Sequence, residues 1–130
     1  MILGFKKQFK RPILAGTKIH TIREDKTDRW NIGRMIQFAT GVRTKKYEQF
    51  YEEQCRGIQE IRIAWMEWDT DNVAYIWIDE VCVGSYFRGR STGRCKEIAE
   101  NDGFENVDDF FKWFNRDFEG KIIHWTDFKY

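Results

Sequence analysis

The chain has 130 residues, a formal net charge of +1, 42% hydrophobic residues and 17% aromatic residues. This length predicts a single domain over residues 1–130 with enough apolar bulk for a core. No segment approaches the roughly 20 apolar residues of a membrane span, and the start MILGFKKQFKR lacks the pattern of a secretory signal. We therefore expect a cytoplasmic protein without a membrane partner. The three cysteines and two histidines are scattered, so we expect neither a metal site nor a cofactor.

Charge is segregated along the chain in spite of the small total. Residues 1–23 carry six basic side chains and no acid, and residues 84–96 carry four basic side chains and no acid. Residues 97–119 instead hold eight acids against two bases. Such segregation creates local potentials that a polyanion or a phosphate would meet on the basic side. Ordinary solvated faces explain the same pattern, so charge alone leaves both interpretations open.

The first half of the chain predicts a short helix followed by strands. Residues 7–15 favour a helix, with Pro12 in the first turn and Gly16 at its end. Residues 35–40, MIQFAT, follow a glycine and predict a short strand. Apolar residues alternate over 58–66, which is typical of a strand with one buried face.

The second half predicts a turn, a central strand, two helices and a last strand. Residues 68–72 have turn chemistry, and 73–84 are apolar on both faces, which predicts one strand in the centre of a sheet. A loop follows at 88–94, and then a short helix that ends near Gly103. Asn106 or Asp108 would cap the next helix, which carries an apolar stripe. The stripe comprises Val107, Phe110, Phe111, Phe114 and Phe118. Residues 121–130, KIIHWTDFKY, are predicted to form the last strand. Together these elements predict an α+β domain built on a small curled sheet or barrel.

The stretch GTKIHTIRED holds three residues that could perform chemistry together. Lys18 and Thr21 share a face on a helix, whereas Thr21 and Arg23 share a face on a strand. All three converge only if a helical turn at 16–20 passes into a strand at about 21. A threonine hydroxyl becomes a nucleophile when a neighbouring base takes its proton, and lysine is such a base when burial or positive charge lowers its pKa. Spacing alone favours the alternative, a solvated Lys18 and Arg23 around a strand threonine.

The sequence ILAGTKIHTIRED followed by WNIGRMIQF resembles the signature of the ASCH domain, a member of the PUA-like superfamily. The signature is a Gly-x-Lys-x-x-Thr-x-Arg core, here Gly16, Lys18, Thr21 and Arg23, followed by Gly33. The segments EIAENDGFENVDDFFKWF and KIIHWTDF also resemble the family's ending of helix, helix and strand. The resemblance covers both ends of the chain. The region at about 41–90 diverges and is longer than in the family's small amidohydrolases, and Arg34 stands where many members have aspartate.

The resemblance implies a small PUA-like β-barrel with flanking short helices, and a cleft that binds RNA or a modified nucleoside. One bacterial branch of the family is an amidohydrolase that removes the acetyl group of N4-acetylcytidine. Carried over to this chain, that branch implies Thr21 as nucleophile, Lys18 as its proton acceptor and Glu100 as proton donor. Glu100 is equally explained as one solvated acid among several on its helix. A non-catalytic RNA-binding module and a ribonuclease remain the alternative functions.

Further substrate-binding candidates follow from residue type and position: Arg23, His20, Trp30, Arg88 and Arg90. Arg23 offers a fork for a carbonyl or phosphate oxygen. Trp30 follows the motif in a polar context and is the candidate for stacking on a base. Arg88 and Arg90 belong to a basic loop that suits phosphates, or that is simply a solvated surface loop. His20 is placed to touch a phosphate, or else to lie solvated on the opposite strand face.

Overall fold

A computed structural model describes residues 1–130 and shows an α+β fold of two sheets and a few short helices. A 3-10 helix at Lys7–Phe9 leads into the first α-helix. The helices are α1 (Lys10–Ala15), α2 (Cys95–Asn101) and α3 (Val107–Trp113). The strands are β1 (Ile2–Phe5), β2 (His20–Arg23), β3 (Met35–Thr40), β4 (Glu48–Gln54), β5 (Gly57–Trp68), β6 (Asp71–Ile78), β7 (Val81–Phe87), β8 (Arg90–Ser91) and β9 (Phe118–His124). The longest α-helices have seven residues, so none has the length or the apolar character to cross a bilayer.

The larger sheet is a curled half-barrel of six antiparallel strands in the order β2-β9-β5-β6-β7-β8. β5 pairs with β6 along one edge and with β9 along the other, so it joins the two halves of the sheet. Its inward residues Ile61 and Ile63 pack in the core with Ile122 of β9. The region at 41–90 therefore supplies β4 to β7 and is integral to the fold.

The smaller sheet has three strands, in which β3 pairs in parallel with β1 and antiparallel with β4. Aromatic packing joins it to the larger sheet. Phe38 of β3 is fully buried, stacks on Phe5 at 5.6 Å between ring centroids, and meets the edge of Trp125 at 4.8 Å. Because Trp125 directly follows β9, these three rings fix the position of one sheet relative to the other.

Several predicted elements are confirmed. α1 ends at Gly16, which has the left-handed φ of 80° that favours glycine. β3 covers the predicted 35–40, and Gly103, with φ of 90°, follows α2. The Asn106 side chain caps α3 by accepting a hydrogen bond of 2.8 Å from the backbone N–H of Asp109.

The structure corrects three predictions, the first of which is the last strand: β9 covers Phe118–His124 and does not extend over residues 125–130. The segment 73–84 is not one strand, because β6 ends at Ile78 and β7 begins at Val81. Asp79 and Glu80 both have positive φ, 50° and 69°, and make the tight turn between the strands. The apolar stripe also ends before Phe118, which lies in β9 rather than in α3. β1 and β4 are strands that the sequence patterns did not predict.

Two histidines face each other in the buried part of the larger sheet. His20 of β2 pairs with His124 of β9, both are fully buried, and their rings lie 5.3 Å apart. His124 Nε2 lies 2.9 Å from Gln59 Oε1, whereas its Nδ1 has no hydrogen-bond partner. Burial lowers the pKa of both rings, and the pKa of His124 falls to about 3. Both histidines are therefore neutral near pH 7.

This burial makes the fold sensitive to acid. The unfolded chain protonates each histidine near pH 6.5, while folded His124 does so only near pH 3. Between these values the unfolded state binds more protons at His124, so its contribution to the free energy of unfolding decreases by about 1.4 kcal/mol for each unit by which the pH is lowered. We expect His124→Gln, which retains an N–H for Gln59, to show a shallower loss than the wild type in urea unfolding below pH 6.5. Parallel pH curves for the two proteins would contradict this expectation.

Candidate functional site

The predicted motif lies in a cavity of about 440 Å³ between β1, β2 and the helical segments. Lys18, Thr21, Arg23 and Asp102 are its polar lining near the motif, and Lys6 lines it as well. The remaining walls are largely aromatic and comprise Phe5, Phe9, Phe104, Trp113 and Phe114. Of the divergent region 41–90, only Val42 reaches this cavity. A planar, largely apolar group with a few polar atoms suits such a lining.

Lys18, Thr21 and Arg23 come together because an irregular segment precedes β2, and not because they are spaced as on one face of a helix or strand. After Gly16 ends α1, residues 17–19 cross to the start of β2 at His20. The backbone N–H of Ile19 donates to the carbonyl of Asn101 at 2.8 Å, which ties this segment to the end of α2. Thr21 and Arg23 then share one face of β2. The convergence therefore does not need the helical turn at 16–20 that we expected it to require, because the loop brings Lys18 to the cavity instead.

Lys18 is buried, with 2% of its surface exposed. Its Nζ donates to the backbone carbonyl of Asp102 at 2.6 Å and to Asp102 Oδ1 at 3.1 Å. The ammonium also lies 4.7 Å from the ring centroid of Phe9. Burial lowers the pKa of Lys18, the Asp102 carboxylate opposes this shift, and Arg23 adds to it. Lys18 is therefore closer to a neutral amine than a surface lysine is.

Arg23 organises the Thr21 hydroxyl. Its Nε donates to Thr21 Oγ1 at 3.1 Å, and its Nη2 donates to the carbonyl of Gly4 in β1 at 2.6 Å. The guanidinium also packs over Phe5 at 4.9 Å from the ring centroid. Because Thr21 Oγ1 accepts this hydrogen bond, its own hydrogen remains available to a base. No hydrogen bond joins Thr21 directly to Lys18, and contacts of this kind commonly tighten only when substrate binds.

Glu100 does not lie at the cavity. It is exposed on α2, where its carboxylate is 3.9 Å from Lys96 Nζ. The acid beside Lys18 is Asp102, which follows α2 directly and has 3% of its surface exposed. Glu100 and Asp102 are two residues apart at the end of a helix, so their side chains point to nearly opposite sides of it. Only one of the two acids can therefore face the motif. The usable signal in the sequence was the position of Asp102 immediately before the helix-ending Gly103.

The remaining candidates lie outside the cavity lining. Trp30 is buried in the core, which leaves no free ring face for a base. Arg88 and Arg90 are exposed around the β7–β8 turn, and Arg88 pairs with Asp71. His20 is neither solvated nor in the lining, because it is buried behind Asp102 with Nδ1 at 3.2 Å from Oδ1.

The exposed aromatic side chain at the cavity is Trp113, which the sequence did not single out. It lies on α3 with 44% of its surface exposed, and Lys6 Nζ sits 5.4 Å from its ring centroid. The sequence did contain a signal for this exposed position. Trp113 does not belong to the apolar stripe of its helix, although the next residue, Phe114, does.

A wider groove of about 620 Å³ crosses the outer face of the larger sheet beside Trp77. Arg62 stacks on Trp77 at 4.0 Å, and the other lining residues are mostly charged, acids prevailing. The groove contains neither a hydroxyl nor a thiol nucleophile. The motif cavity is therefore the better candidate for chemistry.

No family model, no curated protein and no solved structure matches the chain.

Gly103 couples the end of α2 to Lys18. A Cβ at this position would lie 2.9 Å from Lys18 Cδ, and the φ of 90° strains any other residue. Gly16 is a matched control, because its φ is 80° and its Cβ would meet nothing within 4 Å. We expect both alanine variants to lose about 1 kcal/mol of unfolding free energy from backbone strain.

Gly103→Ala should lose more than Gly16→Ala, because the Lys18 stem must also move. Urea denaturation measures the two losses. Equal losses of unfolding free energy in the two variants would show that Lys18 leaves room for a Cβ at position 103.

Proposed function

We propose that the cavity binds an acylated nucleobase, in a modified nucleoside or in RNA, and hydrolyses its acyl amide as an ASCH-type, PUA-like amidohydrolase. The observation that carries the proposal is the meeting of Lys18, Thr21, Arg23 and Asp102 in one aromatic-walled cavity. The volume of about 440 Å³ falls in the usual range for small-molecule sites. The aromatic walls suit a planar base, and the polar residues suit an amide group.

Thr21 is the nucleophile in this proposal. Its Oγ attacks the acyl carbon, and its proton passes to Lys18 in those molecules in which the lysine is deprotonated, a fraction that the lowered pKa increases. The tetrahedral oxyanion forms next to the Arg23 guanidinium, which is already fixed by Thr21 and Gly4. Lys18 then gives its proton to the departing amine as the C–N bond breaks. Water hydrolyses the acyl-threonine, and its proton returns to Thr21 Oγ through Lys18.

The family resemblance implies Glu100 as proton donor, but the acid beside Lys18 is Asp102, and its role in this proposal is to support the base. Its carboxylate and its backbone carbonyl both accept hydrogen bonds from Lys18 Nζ. They hold the amine in place and stabilise the ammonium that forms when Thr21 is deprotonated. Lys18 itself returns the proton to the leaving group, so the mechanism requires no separate proton donor.

The test is acetate release from N4-acetylcytidine, free and within a short oligonucleotide. We expect Thr21→Ala, Lys18→Met and Asp102→Asn each to lose ~100-fold or more in kcat/KM, as the removal of a nucleophile, a base or its partner does. Glu100→Gln is the matched control on the same helix and should retain the wild-type rate. Hydrolysis that persists in Thr21→Ala and Lys18→Met, or that is lost in Glu100→Gln, would contradict this mechanism.

A second candidate function, non-catalytic RNA binding, is favoured by the basic residues beside the cavity. Lys6 lines the cavity over Trp113, and Lys7 and Arg11 are exposed on the adjoining helical turns. Phosphates on either side of a bound base would meet these cations.

This binding mode makes a prediction about salt. We expect affinity for a single-stranded oligonucleotide, measured by fluorescence anisotropy, to fall with rising salt concentration. The combined change Lys7→Gln and Arg11→Gln should reduce the slope of log K against log salt by roughly 0.7 per lost phosphate contact. Arg88→Gln with Arg90→Gln is the control for the other basic segment and should leave the slope unchanged. A slope that depends on Arg88 and Arg90 instead would place the phosphates on the β7–β8 turn.

A further inference from the structure

A buried chain of polar groups runs behind the cavity and ends on Asp102. Asp102 Oδ1 lies 3.1 Å from Lys18 Nζ on the cavity side and 3.2 Å from His20 Nδ1 on the other side. His20 Nε2 lies 2.7 Å from the hydroxyl of Tyr130, and the Asn101 side-chain amide donates to that hydroxyl at 3.0 Å. His20, Tyr130 and Asn101 take no part in the proposed proton transfers.

The chemistry of these groups sets the direction of each hydrogen bond. The Asp102 carboxylate accepts from Lys18, so it also accepts from His20, and the ring hydrogen therefore lies on Nδ1. His20 Nε2 is then an acceptor, to which Tyr130 donates its O–H. Because Asn101 donates to the same hydroxyl oxygen, it turns the Tyr130 hydrogen towards the ring. The neutral His20 ring is thus held in a single tautomer.

We propose that His20 is a positioning residue, which holds the Asp102 carboxylate against Lys18 and is itself fixed in its tautomer by Tyr130. The inference deepens the proposed function, because it concerns the support of the base at the same site. The two residues can act on the same site from different sides because neighbouring side chains of a strand point to opposite faces. On β2, Thr21 faces the cavity and His20 faces the other side.

The contact between Asp102 and Lys18 depends on this support. Asp102 directly follows the last residue of α2, so no further turn of this helix packs against its side chain. Without the N–H of His20, Oδ1 would be held only by the end of a long lysine side chain. Asp102 raises the pKa of Lys18 against the effect of burial, so a carboxylate that moves away lets the Lys18 pKa fall further. The charged and titratable groups around the pair are Arg23 and Lys6 at the cavity, and His20, His124 and Tyr130 behind it.

The test is an NMR titration of Lys18 Nζ in the full chain, compared among the wild type, His20→Leu and His20→Asn. Leucine removes the donor to Asp102, whereas asparagine carries an N–H near the position of Nδ1–H. We expect the titration midpoint of Lys18 to fall in His20→Leu and to return towards the wild-type value in His20→Asn. A midpoint equal to the wild type in His20→Leu, or equal shifts in the two variants, would overturn the proposal, because a packing role does not distinguish them in this way.

Tyr130→Phe provides a second variant, which removes one hydroxyl and keeps the ring. We expect ring-nitrogen NMR to show His20 with its hydrogen on Nδ1 in the wild type. In Tyr130→Phe the Nδ1–H form should still prevail, because Asp102 accepts from it, but a minor Nε2–H form should appear that Tyr130 no longer suppresses. A wild-type ring that carries its hydrogen on Nε2 would overturn the proposal even if the His20 variants do not fold.

Kinetics separate this inference from the proposed function. If the wild type hydrolyses N4-acetylcytidine, His20→Leu should lower kcat by ~10-fold with little change in KM, because the lost hydrogen bond is one to a charged group. A change confined to KM would overturn the positioning role. If the wild type does not hydrolyse N4-acetylcytidine, the proposed function fails, and the Lys18 titration still decides the role of His20.

Discussion

The structure around the cavity depends on the burial of an ammonium and a carboxylate, Lys18 and Asp102. Removing two such charges from water costs several kcal/mol per ion, and their attraction repays this only with good geometry and further hydrogen bonds. Both conditions require the segment before β2 to lie against the end of α2, as the hydrogen bond from Ile19 to Asn101 shows. The aromatic rings that enclose Lys18 exclude water, which makes the burial of the pair costly and strengthens the attraction within it.

The local elements were predictable where a single residue type determines the backbone. Gly16 and Gly103 end helices in the left-handed region, and Asn106 caps α3, so short-range chemistry was sufficient. β1 escaped prediction because it is held by pairing with β3, which is distant in sequence, and β4 escaped because this exposed strand carries little apolar alternation. The β6–β7 turn escaped because Asp79-Glu80 adopts positive φ without a glycine to signal it.

The site was predictable in part, and the missing part was a matter of tertiary docking. The motif residues Lys18, Thr21 and Arg23 all reach the cavity. Their spacing could not show this, because the segment that brings them together has neither a helix period nor a strand period. The choice between Glu100 and Asp102 depends on which side of α2 faces β2, and no pattern within the helix determines that.

The cavity also lies where the two sheets meet, so different elements position its polar residues. β2 belongs to the larger sheet and carries Thr21, whereas the carbonyl that fixes Arg23 Nη2 belongs to Gly4 in β1 of the smaller sheet. The base depends instead on α2 through Asp102. The group that would bind the oxyanion and the group that would accept the proton are therefore positioned by different elements. A change in sheet packing, for example around Phe38 and Trp125, would disturb the Arg23 contact before the Lys18 contact.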